Sequence, residues 1–355
     1  MRRDPHAVVS HDSSGRTRRR HFIRRVRTLL SPTAIDPAGD VAAPERRPGI
    51  NARQRLAVAV VVGLVFGALH LSIPFNDMKW PLCYARQLLR GADPYAPVCQ
   101  LTEFGLPMPA NPLTTGLVAL PFAAAFNDEV ATAVMLGLSY ALLTWALLGR
   151  IGWGGLLVLV SYPSSQTEVF AQWAPLLLAV ALLPALLPLT LIKPHIGLPI
   201  AATRMTRRRG VGCVLFAAVT FLIDPRWPLR WFPLIWSYGG YIPFLTMPGA
   251  LLLLGLWRWR ANLADPDVRY LILCACVPQK DADALILAAL FHTPREVLFW
   301  TVSSWGLFVS GHLPIAPDSI GIRTPWAAPA FLYLPAAAMV LSRHRSAMGR
   351  AARQP

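Results

Sequence analysis

Apolar stretches alternate with short polar or proline-containing breaks along most of this 355-residue chain. Several stretches are shorter than the roughly 20 residues that a straight membrane span requires. Prolines such as Pro184, Pro188 and Pro194 fall within them, which predicts kinked spans or half-helices. The pattern therefore predicts an all-α, polytopic integral membrane protein with about ten to twelve transmembrane or half-membrane helices. The apolar segments lie near residues 55–73, 112–126, 130–149, 152–163, 168–186, 187–202, 211–223, 241–257, 267–278, 284–292, 296–313 and 326–341.

The composition agrees with a chain that belongs in a bilayer. Hydrophobic residues make up 54% of the chain, charged residues make up 15%, and the mean hydropathy is +0.44. Soluble domains usually carry about 25% charged residues. The formal net charge is +16, but the basic residues lie mainly in the N-terminal tail and in short loops, where positive charge sets membrane topology. We therefore expect the arginine tail to contact anionic membrane lipids, and we expect no nucleic-acid partner.

The basic residues also divide the chain and orient it. Residues 1–54 are rich in arginine, proline and alanine and are predicted to form a disordered basic cytoplasmic tail. Residues 55–342 are predicted to form the polytopic membrane domain, and residues 343–355 a second basic cytoplasmic tail. Because basic loops favour the cytoplasmic side, the loop 74–111 is predicted to be extracytoplasmic.

Loop 74–111 carries the first candidate for chemistry. Asp77 follows the first apolar stretch directly, and an acid held at the membrane boundary can accept a proton from a hydroxyl group. Segment 78–90 is predicted to be an amphipathic helix, with Arg86 and Arg90 one turn apart. Such cations keep a carboxylate ionised and can bind phosphate. A helix N-cap or a solvated loop carboxylate is the alternative interpretation of Asp77.

The same loop contains two of the five cysteines, Cys83 and Cys99. A disulfide between them is possible in an oxidising compartment. Two free thiols are the alternative, and the sequence alone leaves both open.

Lys193 and His195 form the second candidate, within an apolar stretch that Pro194 interrupts. An ammonium group in such a stretch is costly and indicates function with a buried partner. The alternative is a lysine that extends toward the cytoplasmic face, since Arg204 follows about ten residues later.

Two polar breaks between short apolar segments are weaker candidates. Residues 162–175, with Glu168 and Gln172, are predicted to form a re-entrant turn that borders a substrate cavity, or an ordinary loop. Residues 278–283 carry two aspartates, but alternate acids on a loop are weak evidence of a metal site, and none is expected. A salt bridge from Lys280 to these aspartates is the preferred explanation of this segment.

The order of these features resembles the GT-C membrane glycosyltransferases, and in particular the polyprenol-phosphate-mannose-dependent transferases of the bacterial envelope. The resemblance covers about residues 55–210. The family's usual glycine before the glutamine is Ala171 in this chain. The matching elements are a first span followed by Asp77, then Ala85-Arg86-Gln87-Leu88-Leu89-Arg90-Gly91-Ala92-Asp93-Pro94-Tyr95, Asn111-Pro112-Leu113, Ala171-Gln172-Trp173-Ala174-Pro175-Leu176-Leu177 and Lys193-Pro194.

The resemblance implies a GT-C-like fold and an inverting, metal-independent transfer reaction that needs no cofactor. It implies that a hexose or pentose, with mannose favoured, arrives on a polyprenyl phosphate and passes to a lipid or glycan acceptor of the cell envelope. Transfer would take place at the extracytoplasmic face of the cell membrane, with Asp77 as the general base that deprotonates the acceptor hydroxyl. The residues implied to bind the substrate or the donor phosphate are Arg86, Arg90, Lys193, His195, Gln172 and Tyr95.

Two other classes of function fit the sequence. A transporter or lipid-flipping protein would line a path with Lys193, His195 and Glu168, although we find no internal repeat of the kind that many transporters carry. A non-catalytic envelope assembly protein would use the arginine tail to bind anionic lipid. A cavity in which Asp77 and a cation converge favours the enzyme over the assembly protein. Accumulation of substrate in proteoliposomes without any polyprenyl donor would favour the transporter.

Overall fold

The computed structural model describes residues 50–73, 77–99, 111–238, 240–252, 265–311 and 326–351, with the backbone alone for residues 236, 237, 311 and 344–351. Within these residues the chain is mainly helical, as predicted, and contains no β-strand. The nearest approach to a sheet is an isolated antiparallel bridge between Tyr241 and Gln279.

The regular elements follow one another with short connections. The α-helices are α1 Ala52–His70, α2 Lys79–Leu89, α3 Leu113–Ala125, α4 Asp128–Arg150, α5 Tyr162–Phe170, α6 Ala174–Leu182, α7 Pro194–Arg204, α8 Arg207–Ile223, α9 Trp227–Trp231, α10 Pro266–Cys276, α11 Pro294–Gly311 and α12 Leu334–Ala351. Tighter 3₁₀ segments cover Pro97–Cys99, Trp153–Val160, Pro184–Ile192, Phe232–Ser237, Pro243–Leu245 and Asp281–Leu290, and Pro329–Tyr333 forms a π-helical turn. Residues 247–252 are also helical.

Two of the helices, α1 and α4, are long and apolar enough to cross a membrane. A third span results if α8 and the helical segment Trp227–Ile235, which are bent by 88° relative to each other, are counted as one. Among the described residues, the structure therefore supports two or three of the ten to twelve spanning or half-spanning helices that we expect. Most of the other predicted apolar segments form short helices and 3₁₀ segments, several of which begin at a proline, because proline lacks the amide hydrogen that a continuous helix needs.

Helices reach into both segments that the sequence analysis assigned to tails. Helix α1 begins at Ala52, where the Asn51 side chain accepts a hydrogen bond from the backbone N–H of Gln54 and caps the helix. Three residues of the predicted tail 1–54 are thus helical, and residues 1–49 lie outside the described part of the chain. At the other end, α12 continues into the segment predicted as a C-terminal tail, as far as Ala351.

Helix α1 has an apolar surface that faces away from the other elements that the structure describes. Leu64 is 69% exposed, and Leu56, Val60 and Val61 are exposed on the same helix. An apolar surface of this kind is costly in water and is stable against lipid. The opposite face of α1 packs closely on α4 through glycines.

We expect Gly137→Ala to destabilise the contact between α1 and α4. A Cβ atom at Gly137 would lie 2.7 Å from the carbonyl oxygen of Gly63, a distance that requires the helices to move apart. The free energy of unfolding should fall by about 1–3 kcal/mol, measured by thermal denaturation in detergent micelles. Gly210→Ala is the matched control, because its Cβ would meet only the Met205 sulfur at 3.5 Å. Equal stability of the two variants would contradict the assignment of this contact.

Candidate functional site

Asp77 lies in the connection between α1 and α2, against the end of α5. Its backbone N–H donates a hydrogen bond of 3.1 Å to the carbonyl oxygen of Phe170. The next residue after α5, Ala171, has a left-handed backbone (φ 48°), which is unfavourable for any residue other than glycine. This turn ends α5 and directs the following residue, Gln172, toward Asp77. The side-chain amide nitrogen of Gln172 donates a hydrogen bond to the Asp77 carboxylate.

Gln172 also joins Asp77 to Lys193. The Lys193 ammonium donates a hydrogen bond of 3.1 Å to the Gln172 side-chain oxygen. Its second partner is the Asp283 carboxylate, at 2.5 Å. Lys193 is 9% exposed and the Asp283 side chain is fully buried. The prediction of a buried partner for Lys193 is thus confirmed, and the alternative of a lysine that extends toward the cytoplasm is wrong.

Asp283 is a site residue that the sequence analysis did not identify. It lies in the first turn of the 3₁₀ segment Asp281–Leu290. Besides Lys193, its carboxylate accepts a hydrogen bond of 2.7 Å from the Tyr238 hydroxyl and one of 3.0 Å from the backbone N–H of Lys280. The expected salt bridge from Lys280 to an adjacent aspartate is therefore wrong. Asp283 pairs instead with a lysine 90 residues away.

Two cavities meet at Asp77. The first has a volume of about 50 Å³ and the second about 120 Å³. Asp77, Gln172 and Lys280 line both. The further residues of the first cavity are Trp80, Asn111, Pro112, Ala171, Trp173, Ile192, Lys193, Pro194, His195, Trp231 and Tyr238, and those of the second are Gln166, Phe170, Asp281 and Ala282.

The surroundings of Asp77 raise the pKa of its carboxyl group above the usual value. Burial is the largest cause, because it disfavours the charged form. The positive charges of Lys280 and Lys193 and the hydrogen bond from Gln172 act in the opposite direction and offset part of this effect. Asp77 is therefore a stronger base than an ordinary exposed aspartate, and it lines both cavities.

The two arginines predicted to bind the donor phosphate lie elsewhere. Arg86 forms an ion pair of 2.6 Å with Asp128 and donates a hydrogen bond to the carbonyl oxygen of Phe126. Arg90 is exposed, directly after the end of α2. Neither lines one of the two cavities, which corrects the expectation based on their position close to Asp77 in the sequence.

Two other predicted residues lie beside the first cavity. His195 lines it, with its ring centroid 4.5 Å from that of Tyr238. Tyr95 is buried behind the cavity wall, and its hydroxyl donates a hydrogen bond of 3.3 Å to the carbonyl oxygen of Asn111. We therefore assign Tyr95 the role of supporting Asn111, which lines the cavity.

A disulfide joins Cys83, within α2, to Cys99, in the connection that follows this helix. Cys83 belongs to α2, which spans most of the predicted amphipathic segment 78–90, and Cys99 ends the 3₁₀ segment Pro97–Cys99. The bond decides between the two alternatives that the sequence left open. It also fixes the position of Tyr95 relative to α2.

We expect Cys99→Ser to lower the free energy of unfolding by about 2–4 kcal/mol, because the disulfide restricts a loop of 16 residues in the unfolded chain. The measurement is thermal denaturation of the oxidised protein in detergent micelles. Cys213→Ser, which removes a half-buried free thiol, is the control and should change stability little. If reduction leaves the wild-type melting temperature unchanged, the disulfide does not contribute to stability in this way.

Glu168 is the remaining acid of the transport hypothesis. It is 8% exposed, and neither carboxylate oxygen has a hydrogen-bond partner in the described part of the chain. It does not line the cavity that contains Lys193 and His195. The described residues therefore do not bring the three predicted path residues together.

Comparisons with known proteins give no assignment for this chain. It matches no protein-family model, no curated protein and no solved structure. Any functional conclusion therefore rests on the residues around Asp77 and on the sequence motifs that led to them.

Proposed function

We propose that this protein is an integral membrane glycosyltransferase of GT-C type, with about ten to twelve membrane or half-membrane helices. It moves a sugar, with mannose favoured, from a polyprenyl phosphate to a lipid or glycan acceptor of the cell envelope. One observation carries the proposal: the Gln172 side chain bonds Asp77 on one side and Lys193 on the other, beside a common cavity. The motifs that resemble this enzyme class supplied the same three residues, which are far apart in the sequence.

The location of the reaction follows from the loop that holds Asp77. Disulfides persist outside the reducing cytoplasm, so the Cys83–Cys99 bond supports an extracytoplasmic position for this loop. The apolar exposed face of α1 supports membrane insertion of the helix that precedes it. A donor with a polyprenyl chain would lie in the same membrane, and its phosphate would reach the surface near Asp77.

The reaction is a single displacement. The Asp77 carboxylate takes the proton of the acceptor hydroxyl, and the hydroxyl oxygen attacks the anomeric carbon of the donor sugar. As the new glycosidic bond forms, the bond between the anomeric carbon and the phosphate oxygen breaks. The bonding electrons leave with the polyprenyl phosphate, whose charge the cations of the cavity stabilise. The configuration at the anomeric carbon inverts, and Asp77 later passes its proton to water.

The residue types that line the two cavities suit the chemistry of the two substrates of such a reaction. The first contains the basic residues and four aromatic side chains, which suits a phosphate and the faces of a sugar ring. The second places the amides of Gln166 and Gln172 beside Asp77, which suits an acceptor with hydroxyl groups. In this arrangement Asp77 lies between donor and acceptor, as a general base must.

The pH dependence of the reaction provides a test. The base acts only when ionised, so kcat/KM should fall as the pH drops through the pKa of Asp77. Because burial raises this pKa, the acid limb should lie above the ordinary value of 3.8. In Gln172→Leu the limb should move to still higher pH, since the hydrogen bond from Gln172 lowers the pKa. An acid limb at or below 3.8, or one that Gln172→Leu does not move, would contradict the role of Asp77 as base.

The class of function is tested with the purified protein in liposomes. Liposomes that contain a radiolabelled mannosyl polyprenyl phosphate and a membrane lipid extract as acceptor should yield labelled product. Accumulation of free sugar in the lumen of liposomes that lack any polyprenyl donor would instead favour the transporter. If the liposomes yield no labelled product and accumulate no free sugar, the result would favour an assembly protein.

A further inference from the structure

The two lysines that line the first cavity, Lys193 and Lys280, differ in how their charges are balanced. Lys193 and Asp283 form a tight ion pair of 2.5 Å in which the carboxylate is fully buried. If Lys193 moved away to bind a ligand, the Asp283 charge would remain buried without a counter-charge, which is strongly unfavourable. The net charge of the pair is zero. Lys193 is therefore poorly suited to be the main counter-charge of a phosphate group.

Lys280 is held in a different way. Its backbone N–H donates to Asp283, which fixes the start of the 3₁₀ segment Asp281–Leu290. Its ammonium lies 5.6 Å from the centroid of the Tyr238 ring, close enough for a cation–π contact. Within the described part of the chain, no carboxylate lies within 4.0 Å of this ammonium. The backbone of Lys280 is thus anchored while its charge remains available.

The position of Lys280 matches what a donor phosphate requires. It is one of the three residues that line both cavities. Of the charged groups around Asp77, Lys280 also lowers the pKa of the Asp77 carboxyl group the most. In the same first cavity, Nε2 of His195 has no hydrogen-bond partner among the residues that the structure describes. An ammonium without a carboxylate partner and an imidazole nitrogen without a hydrogen-bond partner, both among the described residues, therefore line the cavity that contains the base.

We propose that Lys280, with His195 beside it, binds the phosphate group of the polyprenyl donor and of the lipid phosphate monoester that leaves, and that Lys193 positions Gln172 and Asp77 through its ion pair with Asp283. This inference rests on the proposed function, since it assigns the phosphate site of the same reaction. It differs from the sequence-based assignment, in which Lys193, Arg86 and Arg90 bind the phosphate. Lys193 is a positioning residue in this account, and Lys280 touches the substrate.

Binding of farnesyl phosphate to the full-length protein in detergent micelles tests the assignment. Trp80, Trp173 and Trp231 line the cavity, so tryptophan fluorescence reports binding directly. The wild type should bind farnesyl phosphate at least tenfold more tightly than farnesol or inorganic phosphate. Lys280→Met should lose about tenfold or more of this affinity, a typical effect for a charge-assisted hydrogen bond, and Lys280→Arg should lose less.

Lys79→Met is the matched control. The positive charge of Lys79 also lowers the pKa of the Asp77 carboxyl group. However, the Lys79 ammonium lies 5.0 Å from the centroid of the Trp80 ring, and Lys79 does not line either cavity. Its removal should change the affinity for farnesyl phosphate less than twofold. A second measurement uses the wild-type protein alone: farnesyl phosphate, but not farnesol, should protect Lys280 from an amine-reactive reagent, as read by mass spectrometry.

The outcomes separate the two proposals. If wild-type protein discriminates farnesyl phosphate from farnesol but Lys280→Met binds both as the wild type does, the assignment of Lys280 is wrong and the proposed function stands. Unprotected Lys280 in the labelling experiment leads to the same conclusion. If the wild type does not discriminate between farnesyl phosphate and farnesol, both the phosphate site and the polyprenyl-phosphate reaction are contradicted.

Discussion

Asp77→Asn is expected to lower the rate of sugar transfer by about 10²- to 10⁴-fold, the usual contribution of a general base. Asparagine has nearly the same size as aspartate and can still accept the hydrogen bond from Gln172, so the cavity should keep its shape. What the variant lacks is a group that takes the proton of the acceptor hydroxyl. The effect should appear in kcat, measured by transfer of labelled sugar in liposomes.

The matched control for this variant is Glu129→Gln. Glu129 is an exposed acid in the first turn of α4, and its neutralisation should leave the rate unchanged. Binding of farnesyl phosphate to Asp77→Asn should also remain within a few-fold of the wild type. A rate within threefold of the wild type in Asp77→Asn would show that another group takes the proton.

Asp283→Asn is expected to have the largest effect on stability, a loss of about 3–5 kcal/mol in the free energy of unfolding. The change keeps an acceptor for the Tyr238 hydroxyl but removes the charge that faces Lys193. It leaves the Lys193 ammonium, which is 9% exposed, without a counter-charge. Chemical denaturation in detergent micelles, followed by tryptophan fluorescence, measures the loss.

A double variant distinguishes a charge effect from a general loss of packing. Lys193→Met combined with Asp283→Asn removes both charges, and most of the lost stability should return because no buried charge is left unpaired. The activity should remain low, since Gln172 has lost its contact with Lys193. If the double variant is as unstable as Asp283→Asn alone, the ion pair is not the cause.

Local patterns in the sequence predicted the parts of this structure that depend on neighbouring residues. The amphipathic pattern of segment 78–90 gave helix α2, which covers Lys79–Leu89. The lysine inside an apolar stretch indicated a buried partner, and the structure supplies one in Asp283. The resemblance to one enzyme family singled out Asp77, Gln172 and Lys193, which the structure brings together.

Contacts between distant residues account for the predictions that failed. Arg86 lies nine positions from Asp77 in the sequence, yet it forms an ion pair with Asp128, in the first turn of α4. The sequence places Asp283 close to Lys280, and nothing local connects it with its actual partner Lys193, 90 residues earlier. Among the described residues, two or three of the predicted spans are supported by length and composition. Hydropathy alone does not distinguish a membrane helix from a short buried segment such as Asp281–Leu290.

The central claim is that the cavity at Asp77 transfers a sugar from a polyprenyl phosphate. Its most direct test is the stoichiometry of the reaction in liposomes that contain purified protein and a doubly labelled mannosyl polyprenyl phosphate. We predict that wild-type protein releases one polyprenyl phosphate for each sugar transferred to the acceptor, with inverted configuration at the anomeric carbon. Asp77→Asn should release no polyprenyl phosphate and transfer no sugar above background. Sugar transfer that continues at the wild-type rate in Asp77→Asn, or wild-type protein that leaves the donor intact, would contradict the claim.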